Sequence, residues 1–308
     1  MLEVFDTRHL GRPAAICAGL LRGDQLAIID CGPETVFEHT VKSLRSRGLK
    51  PEQVTHVLAT HIHLDHNGGA WRWAEEYGAT VCVHPNGATH LADPGKLVAS
   101  ATRVFGAENM ERLWGTIRPV PAGKLRIVHD GETIAVGSAR VQVIETPGHA
   151  YHHHAYWLEA ERTLYAGDVA GVSIAGGPCQ PPCPPPDIDV ESWKKSLTKI
   201  RTLQPASIIA THGGRLKDPV TPLADLERRL DDWAAWVLAQ LNAGLTEAQM
   251  VPLFEQMVLA ELQAAGVTPE IMQTYAHGNP ADKSVYGLAR YWRKFHPERL
   301  TAGPKTTP

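Results

Sequence analysis

This 308-residue chain has few cysteines, no excess of positive charge and no long apolar run. The five cysteines are an odd number scattered along the sequence, which fits a reducing cytoplasm better than a disulfide framework. Thirty basic residues against thirty-three acidic ones give a formal net charge of −3, so no nucleic-acid partner is expected. No run approaches the roughly 18 apolar residues that cross a bilayer, and no membrane partner is expected either.

The N-terminal sequence MLEVFDTRHLGRP carries charges where a secretory signal needs an apolar run. Together with the cysteine pattern, this favours a cytoplasmic protein whose partner is a small-molecule substrate. The length suffices for one large α/β domain with an extension.

Short apolar runs alternate with helical patterns over residues 1–218, which predicts an α/β domain. The pattern then changes, and we assign residues 219–308 to a helical extension that could form a lid over a pocket or a homodimer contact. Within it, Pro252 is expected to kink or shorten the helix that opens at Thr246. The first helix of the extension is marked by apolar residues at three- and four-residue steps, namely Leu223, Leu226, Leu230, Trp233, Val237 and Leu241.

The stretch Gly176–Pro186 is too rich in proline for regular structure and is predicted to be a loop. Its Cys179 and Cys183 are expected to be reduced thiols near a pocket mouth. The preceding segment 84–118 carries apolar residues that could line the pocket or belong to the core, namely Leu91, Leu97, Val104, Phe105, Trp114 and Ile117.

Four separate apolar runs each end in residue types that bind metal ions. These residues are His61, His63, Asp65 and His66 after the first run, then His149, Asp168 and His212 after the other three. In an extended segment, residues i and i+2 point the same way, so His61 and His63 can hold one ion together. Asp65 and His66 follow as the chain turns and can serve a second ion close by. Imidazole and carboxylate ligands suit zinc, with iron or manganese as alternatives.

The segment from His61 to His66 resembles the HxHxDH signature of the metallo-β-lactamase superfamily, and the family's other elements follow in order. They are Ile29-Asp30-Cys31-Gly32, Thr146-Pro147-Gly148-His149, Gly167-Asp168 and His212, within residues 1–215. The resemblance implies a four-layer αβ/βα sandwich with two divalent metal ions. By the same resemblance His61, His63 and His149 bind the first metal, Asp65, His66 and His212 bind the second, and Asp168 bridges both.

The activity implied by the resemblance is hydrolysis of an ester, lactone or phosphoester by a metal-bridging hydroxide, with Asp65 as catalytic proton shuttle. Asp30 is expected to order the ligand loops, and His153 to support the site from outside the ligand set. His152 and His154 are expected to be surface or packing residues. Two alternatives remain open: a metal-bound regulatory or binding protein with little turnover, and an iron-dependent oxidoreductase with the same ligands.

Two departures from known subfamilies bear on the substrate. After the bridging aspartate, this chain has Val169 and Ala170 where glyoxalase II usually has Leu-Phe, so a glutathione thioester is not favoured. Gly171 stands where acyl-homoserine lactonases carry a tyrosine, so a lactone would bind without that hydroxyl.

Overall fold

Two six-stranded mixed sheets form the centre of the protein, as described for residues 1–301 in a computed structural model. The strands of the first sheet are β1 (Leu2–Asp6), β2 (Cys17–Arg22), β3 (Leu26–Ile29), β4 (Val54–Leu58), β5 (Thr80–Val83) and β6 (Leu125–Ile127). Those of the second sheet are β7 (Thr133–Val136), β8 (Ala139–Glu145), β9 (His154–Leu158), β10 (Thr163–Tyr165), β11 (Ser207–Ala210) and β12 (Gly214–Arg215).

Both sheets combine antiparallel hairpins with parallel crossovers. In the first sheet, β1, β2 and β3 pair antiparallel, and β3 to β6 pair parallel. In the second sheet, β7 to β10 form an antiparallel meander, β11 pairs parallel with β10, and β12 closes the edge antiparallel to β11. Parallel strands of one sheet end at the same edge, which is where their following loops can meet.

Helices connect the strands and cover the outer faces of both sheets. Those of the first half are α1 (Phe37–Ser46), α2 (Leu64–Asn67), α3 (Ala70–Tyr77), α4 (Pro85–Ala92), α5 (Gly95–Phe105) and α6 (Ala107–Trp114). Those of the second half are α7 (Val190–Thr202), α8 (Thr221–Asn242), α9 (Glu247–Ala264), α10 (Pro269–Gly278) and α11 (Ala281–Phe295).

Apolar side chains fill three spaces in this arrangement. Between the two sheets, Ile29 and Leu58 of the first pack with Val143 and Ile209 of the second. Outside the first sheet, Phe37 of α1 and Trp73 of α3 join a second cluster, with ring centroids 4.9 Å apart. The third cluster lies outside the second sheet and includes α7. The layers therefore run helix, sheet, sheet, helix, and the predicted αβ/βα sandwich is confirmed.

The helices after residue 218 share a hydrophobic core with the sandwich. Trp233 of α8 and Leu288 of α11 belong to the same cluster as Trp193 of α7 and Trp157 of β9. In residues 1–301, no helix is both long and apolar enough to span a membrane.

The prediction that Pro252 shortens its helix is wrong. Helix α9 opens with the reciprocal capping bonds between Thr246 and Gln249 and continues unbroken to Ala264. Proline removes one backbone N–H bond in the second turn of this helix. Burial of Phe254, whose ring lies 4.9 Å from that of Trp233, helps to stabilise the helix despite that loss.

The stretch Gly176–Pro186 is a loop, as predicted, apart from Gly176, which ends a short 3-10 helix, and Gln180, which forms an isolated bridge with Val172. Its thiols, however, do not lie at a pocket mouth. Cys179 and Cys183 are free and fully buried in the cluster outside the second sheet. The Cys179 thiol donates to the carbonyl oxygen of Ala170 at 3.1 Å. Their role in the described structure is packing.

Candidate metal centre

The loops that follow four strands converge at one edge of the sandwich and bring all seven sequence-predicted ligand residues together. His61 and His63 lie after β4, and α2 carries Asp65 and His66. The remaining residues follow β8, β10 and β11, and are His149, Asp168 and His212. Their ligand atoms form two groups that share no residue, and within each group all atoms lie within 4.8 Å of one another. A third combination of the same closeness, His61, His66 and Asp168, links the two.

The first group consists of three imidazoles. Nδ1 of His63 lies 2.9 Å from Nε2 of His61 and 3.1 Å from Nε2 of His149. The rings of His61 and His63 stand nearly perpendicular, at 79°. Three ring nitrogens that converge edge-on present their lone pairs to a common point, as a tetrahedral metal site requires.

The second group combines Asp65, His66 and His212. Oδ2 of Asp65 lies 3.4 Å from Nε2 of His212 and 3.6 Å from Nε2 of His66. Both imidazoles are buried, whereas the Asp65 side chain keeps 25% of its surface exposed. Asp65 is therefore the member of this group that solvent or a ligand can reach.

Asp168 lies between the two groups and faces one with each carboxylate oxygen. Oδ2 is 3.3 Å from Nε2 of His149, in the first group. Oδ1 is 3.4 Å from Nε2 of His66 and 3.5 Å from Nε2 of His212, in the second.

The outer nitrogens of the histidines fix which ring nitrogen is free to bind. Nδ1 of His149 donates to the carbonyl oxygen of Pro182 at 2.8 Å, and Nδ1 of His212 donates to that of Ala15 at 2.6 Å. A carbonyl oxygen can only accept, so each ring, when it is neutral as a metal ligand must be, carries its lone pair on the inner Nε2. In the same way, Nδ1 of His66 donates to the Asp30 carboxylate at 2.8 Å.

Asp30 ties the ligand loops to one another, as the sequence predicts. Its buried carboxylate accepts bonds from the backbone and hydroxyl of Thr60, from Asn67 Nδ2 and from the Thr211 hydroxyl, in addition to His66. Because the Thr60 hydroxyl donates to Asp30, it accepts from Nδ1 of His61, 3.0 Å away. Of the candidate ligands, His66 touches this network directly and His61 touches it through Thr60, and both rings thereby keep Nε2 facing inward.

His153 supports Asp168 from outside the ligand set. The backbone N–H of Asp168 donates to Nε2 of His153 at 3.2 Å, and Nδ1 of His153 donates to the Thr146 hydroxyl at 2.8 Å. Gly167 has a φ of +58°, and a Cβ there would lie 2.8 Å from Nε2 of His153. The neighbouring His152 and His154 are buried rather than on the surface.

The charges of the site fit a cation at this position. Burial, together with the nearby His149, lowers the pKa of His63 to about 3, so this ring is neutral, as a metal ligand must be. Burial alone would raise the pKa of Asp168, but His66, His212 and His149 hold it well below its ordinary value.

Two buried atoms, Nε2 of His66 and Oδ1 of Asp168, have no hydrogen-bond partner among the described residues. Buried polar atoms are rarely left unpaired, and a divalent metal ion would satisfy both.

A cavity of about 270 Å³ opens beside the two groups and is walled by His63, Asp65, His149 and Asp168 at one end. Of the six candidate lining residues, four do line it, namely Leu97, Val104, Phe105 and Trp114. Leu91 and Ile117 instead pack in hydrophobic clusters beside it. The proline-rich loop and helices α10 and α11 supply the opposite wall, including His277 and Lys283.

Two residues of this region, His9 and His277, are not indicated by any sequence pattern. Nδ1 of His9 lies 3.0 Å from Nε2 of His277, although 268 positions separate them in the sequence. Neither residue follows an apolar run or belongs to a motif, so no signal in the sequence could have paired them.

Comparisons with curated proteins give partial relatives. The chain is 29% identical over 167 residues to the metallo-beta-lactamase fold-containing protein ST1585 of Sulfurisphaera tokodaii, covering 53% of this chain and 62% of that protein. It is 34% identical over 117 residues to a hydroxyacylglutathione hydrolase of Rhodospirillum rubrum, covering 38% and 34%. It is 25% identical over 245 residues to the atrochrysone carboxyl ACP thioesterase of Aspergillus fumigatus, covering 77% and 45%. The chain thus spans less than two thirds of the length of each of these relatives.

Two solved structures share the architecture. The crystal structure of ST1585 superposes with a TM-score of 0.62 at 25% identity, covering 75% of this chain and 85% of that one. A metallo-beta-lactamase family protein of Thermus thermophilus superposes with a TM-score of 0.64 at 22% identity, covering 90% and 88%. The second likeness concerns the fold alone. The family model of the metallo-beta-lactamase superfamily matches residues 15–212, which contain all seven candidate ligand residues, and the chain belongs to that superfamily.

Proposed function

We propose that this chain is a binuclear metal-dependent hydrolase that acts on a small, largely apolar carboxylic ester, lactone or thioester. The observation that carries the proposal is the position of Asp168, whose two carboxylate oxygens face different groups at 3.3 Å and 3.4 Å. One carboxylate shared between two clusters of imidazoles is the arrangement that holds two cations close together.

Zinc is the metal that we favour, because five of the seven candidate ligands are imidazoles, which suit zinc, and zinc also accepts carboxylate oxygens. His61, His63 and His149 would hold the first ion, Asp65, His66 and His212 the second, and Asp168 both. When bound, such a pair supplies Lewis acidity, which makes water nucleophilic near neutral pH and polarises a carbonyl oxygen.

The chain's own residues complete the chemistry. Asp65 borders the cavity, and His66 and His212 hold its pKa below the ordinary value although burial opposes this. It is therefore ionised at neutral pH and can accept a proton and pass it to the leaving group. The apolar side chains of α5 and α6 exclude water from the other end of the cavity.

The cavity wall favours a carboxylic substrate over a phosphoester. Among the described lining residues the only lysines are Lys96 and Lys283, and no arginine is present. The Lys283 ammonium is already paired with Asp282 at 2.7 Å. Phosphoryl groups are usually held by several cationic side chains, so this wall matches them poorly. The named activities of the hydroxyacylglutathione hydrolase and the ACP thioesterase add thioesters to the substrates worth testing.

The test is hydrolysis of a substrate panel by the purified chain reconstituted with zinc or with manganese. The panel holds aliphatic lactones, aryl esters, thioesters, phosphodiesters, phosphotriesters and a β-lactam, with H61A as the control. We expect turnover of a carboxylic substrate that disappears in H61A. Absence of turnover across the panel with two metals bound, or equal turnover in H61A, would reject the proposal and favour a regulatory or iron-dependent protein.

A further inference from the structure

Two histidines from opposite ends of the chain form a pair beside the cavity. His9 lies in a short turn after β1, and His277 lies near the end of α10. His9 is buried, and its ring stacks on that of Trp114 with centroids 5.7 Å apart and planes 11° apart. The pair therefore joins the N-terminal segment, the α6 region and the C-terminal extension.

The hydrogen bonds of this pair have one possible direction when both rings are neutral. Nε2 of His9 lies 2.8 Å from the carbonyl oxygen of Leu113, which can only accept. His9 therefore carries its proton on Nε2, and its Nδ1 accepts from Nε2–H of His277. Nδ1 of His277 is then left as a hydrogen-bond acceptor. Burial, together with the nearby His9, lowers the pKa of His277 to about 4, which keeps this ring neutral at neutral pH.

His277 is also placed next to the candidate metal centre. It shares the cavity wall with Asp65 and Asp168. The following residue, Gly278, lies against His212, since a Cβ there would be 3.4 Å from Nδ1 of that ring, an ordinary contact distance. In the described part of the chain, Nδ1 of His277 has no hydrogen-bond partner.

We propose that Nδ1 of His277 is a substrate-binding acceptor that selects molecules with a hydroxyl or amide N–H group near the bond to be cleaved. This inference rests on the proposed function, because it assigns a specificity contact within the same cavity. His9 is the positioning residue, since it fixes the ring and its tautomer through Leu113. A ligand that lacks the donor loses this hydrogen bond in a largely apolar cavity, which predicts about a 5- to 10-fold weaker affinity.

Two substitutions of His277 separate this role from simple bracing of the extension. In H277Q, the side-chain amide reaches the former position of Nε2 and can still donate to His9, but no acceptor remains at the position of Nδ1. In H277N, the shorter side chain keeps an oxygen near the position of Nδ1 and cannot reach His9. If His277 only braces the extension, H277N is the variant that should lose function, because it loses the bond to His9. If His277 recognises substrate, H277Q is the variant that should lose the ligand preference.

The measurement is calorimetric binding of two matched ligand pairs to the zinc-loaded full chain. One pair is β-hydroxyoctanoate and octanoate, and the other is N-hexanoylglycine and its N-methyl analogue. We expect the wild type to prefer the donor-bearing member of at least one pair by about 5- to 10-fold. H277N, whose oxygen is no longer positioned by His9, should keep a smaller preference that still exceeds about 2-fold. The preference in H277Q should fall to within about 2-fold, with thermal unfolding showing that each variant is folded.

A wild type without preference in either pair, including one that binds none of the four ligands, would overturn the inference, as would an H277Q variant with the wild-type ratio. These outcomes are distinct from failure of the proposed function. Binding of the acids requires no turnover, so a chain that hydrolyses nothing can still show the preference, and one that hydrolyses esters can lack it.

Discussion

Oδ2 of Asp30 lies 2.8 Å from Nδ1 of His66, and both side chains are fully buried. The same carboxylate accepts from Thr60 after β4 and from Thr211 after β11. Three ligand-bearing segments are thus held in register by one side chain that would bind no metal itself. This relationship makes Asp30 the residue through which metal affinity and fold stability are coupled.

Replacing Asp30 with Asn should weaken both properties. The amide nitrogen would face hydrogen-bond donors, which leaves at least one of them unpaired and costs about 1–3 kcal/mol of unfolding free energy. Loss of the carboxylate behind His66 should lower zinc affinity by about 10- to 100-fold. Competition titration with a chromophoric chelator measures the affinity, and urea denaturation of the metal-free chain measures the stability.

D232N is the matched control, because Asp232 is an exposed carboxylate paired with Arg228 on α8. Exposed ion pairs contribute little to stability, so D232N should follow the wild type in both measurements. Wild-type zinc affinity in D30N would show that the ligand loops keep their geometry without this carboxylate.

Replacing Asp168 with Ala should reduce metal content at both positions, because its two oxygens face the two groups separately. The comparison is H149A, which removes a ligand of the first group alone. After dialysis against zinc, elemental analysis should give about two zinc ions per chain for the wild type, about one for H149A and less than one for D168A. Unchanged metal content in D168A would reject the bridging position.

Replacing Asp65 with Asn should reduce turnover far more than stability. The side chain is partly exposed at the cavity wall, and the amide keeps its shape but cannot carry a proton between groups. General acid–base roles are typically worth about 10²- to 10⁴-fold in rate. We therefore expect a loss of that order in kcat, with a thermal midpoint close to that of the wild type; an unchanged kcat would reject the proton shuttle.

The convergence of the seven candidate ligand residues could be predicted from the sequence, because each of them follows a strand whose apolar pattern is clear. The four apolar runs that precede these residues are local patterns, and strands β4, β8, β10 and β11 lie there. The extended segment from His61 to His63 also brings a ring nitrogen of each residue into one group, as alternation along a strand predicts.

The remaining features depend on contacts between distant parts of the chain. The pairing of His9 with His277 arises from tertiary packing, and the sequence around either residue gives no indication of it. Helix α10 begins at a proline after Thr268 but has a weak apolar pattern, and it was not predicted. Its place is set by Tyr275, whose buried hydroxyl donates to the carbonyl oxygen of Pro178 at 2.9 Å.

His154 gives a prediction for acid stability. This ring on β9 is buried, lies 4.7 Å from the ring of His84 and has no partner for Nδ1 among the described residues. Burial, with a contribution from His84, lowers its pKa in the folded chain to about 3, whereas an unfolded histidine titrates near 6.5. Between these values the unfolded chain binds more protons, so the free energy of unfolding falls as the pH is lowered from about 6.5 towards 3.

Replacing His154 with Gln removes one of the groups that bind a proton in the unfolded chain but not in the folded chain. In the chelator-treated chain, the slope of unfolding free energy against pH, measured by urea denaturation between about pH 6 and pH 5, should decrease by up to about 1.4 kcal/mol per pH unit. H39Q, at an exposed position of α1, is the matched control and should keep the wild-type slope. A wild-type slope in H154Q would contradict the prediction, because it would mean that His154 titrates alike in the folded and unfolded chains despite its burial beside His84.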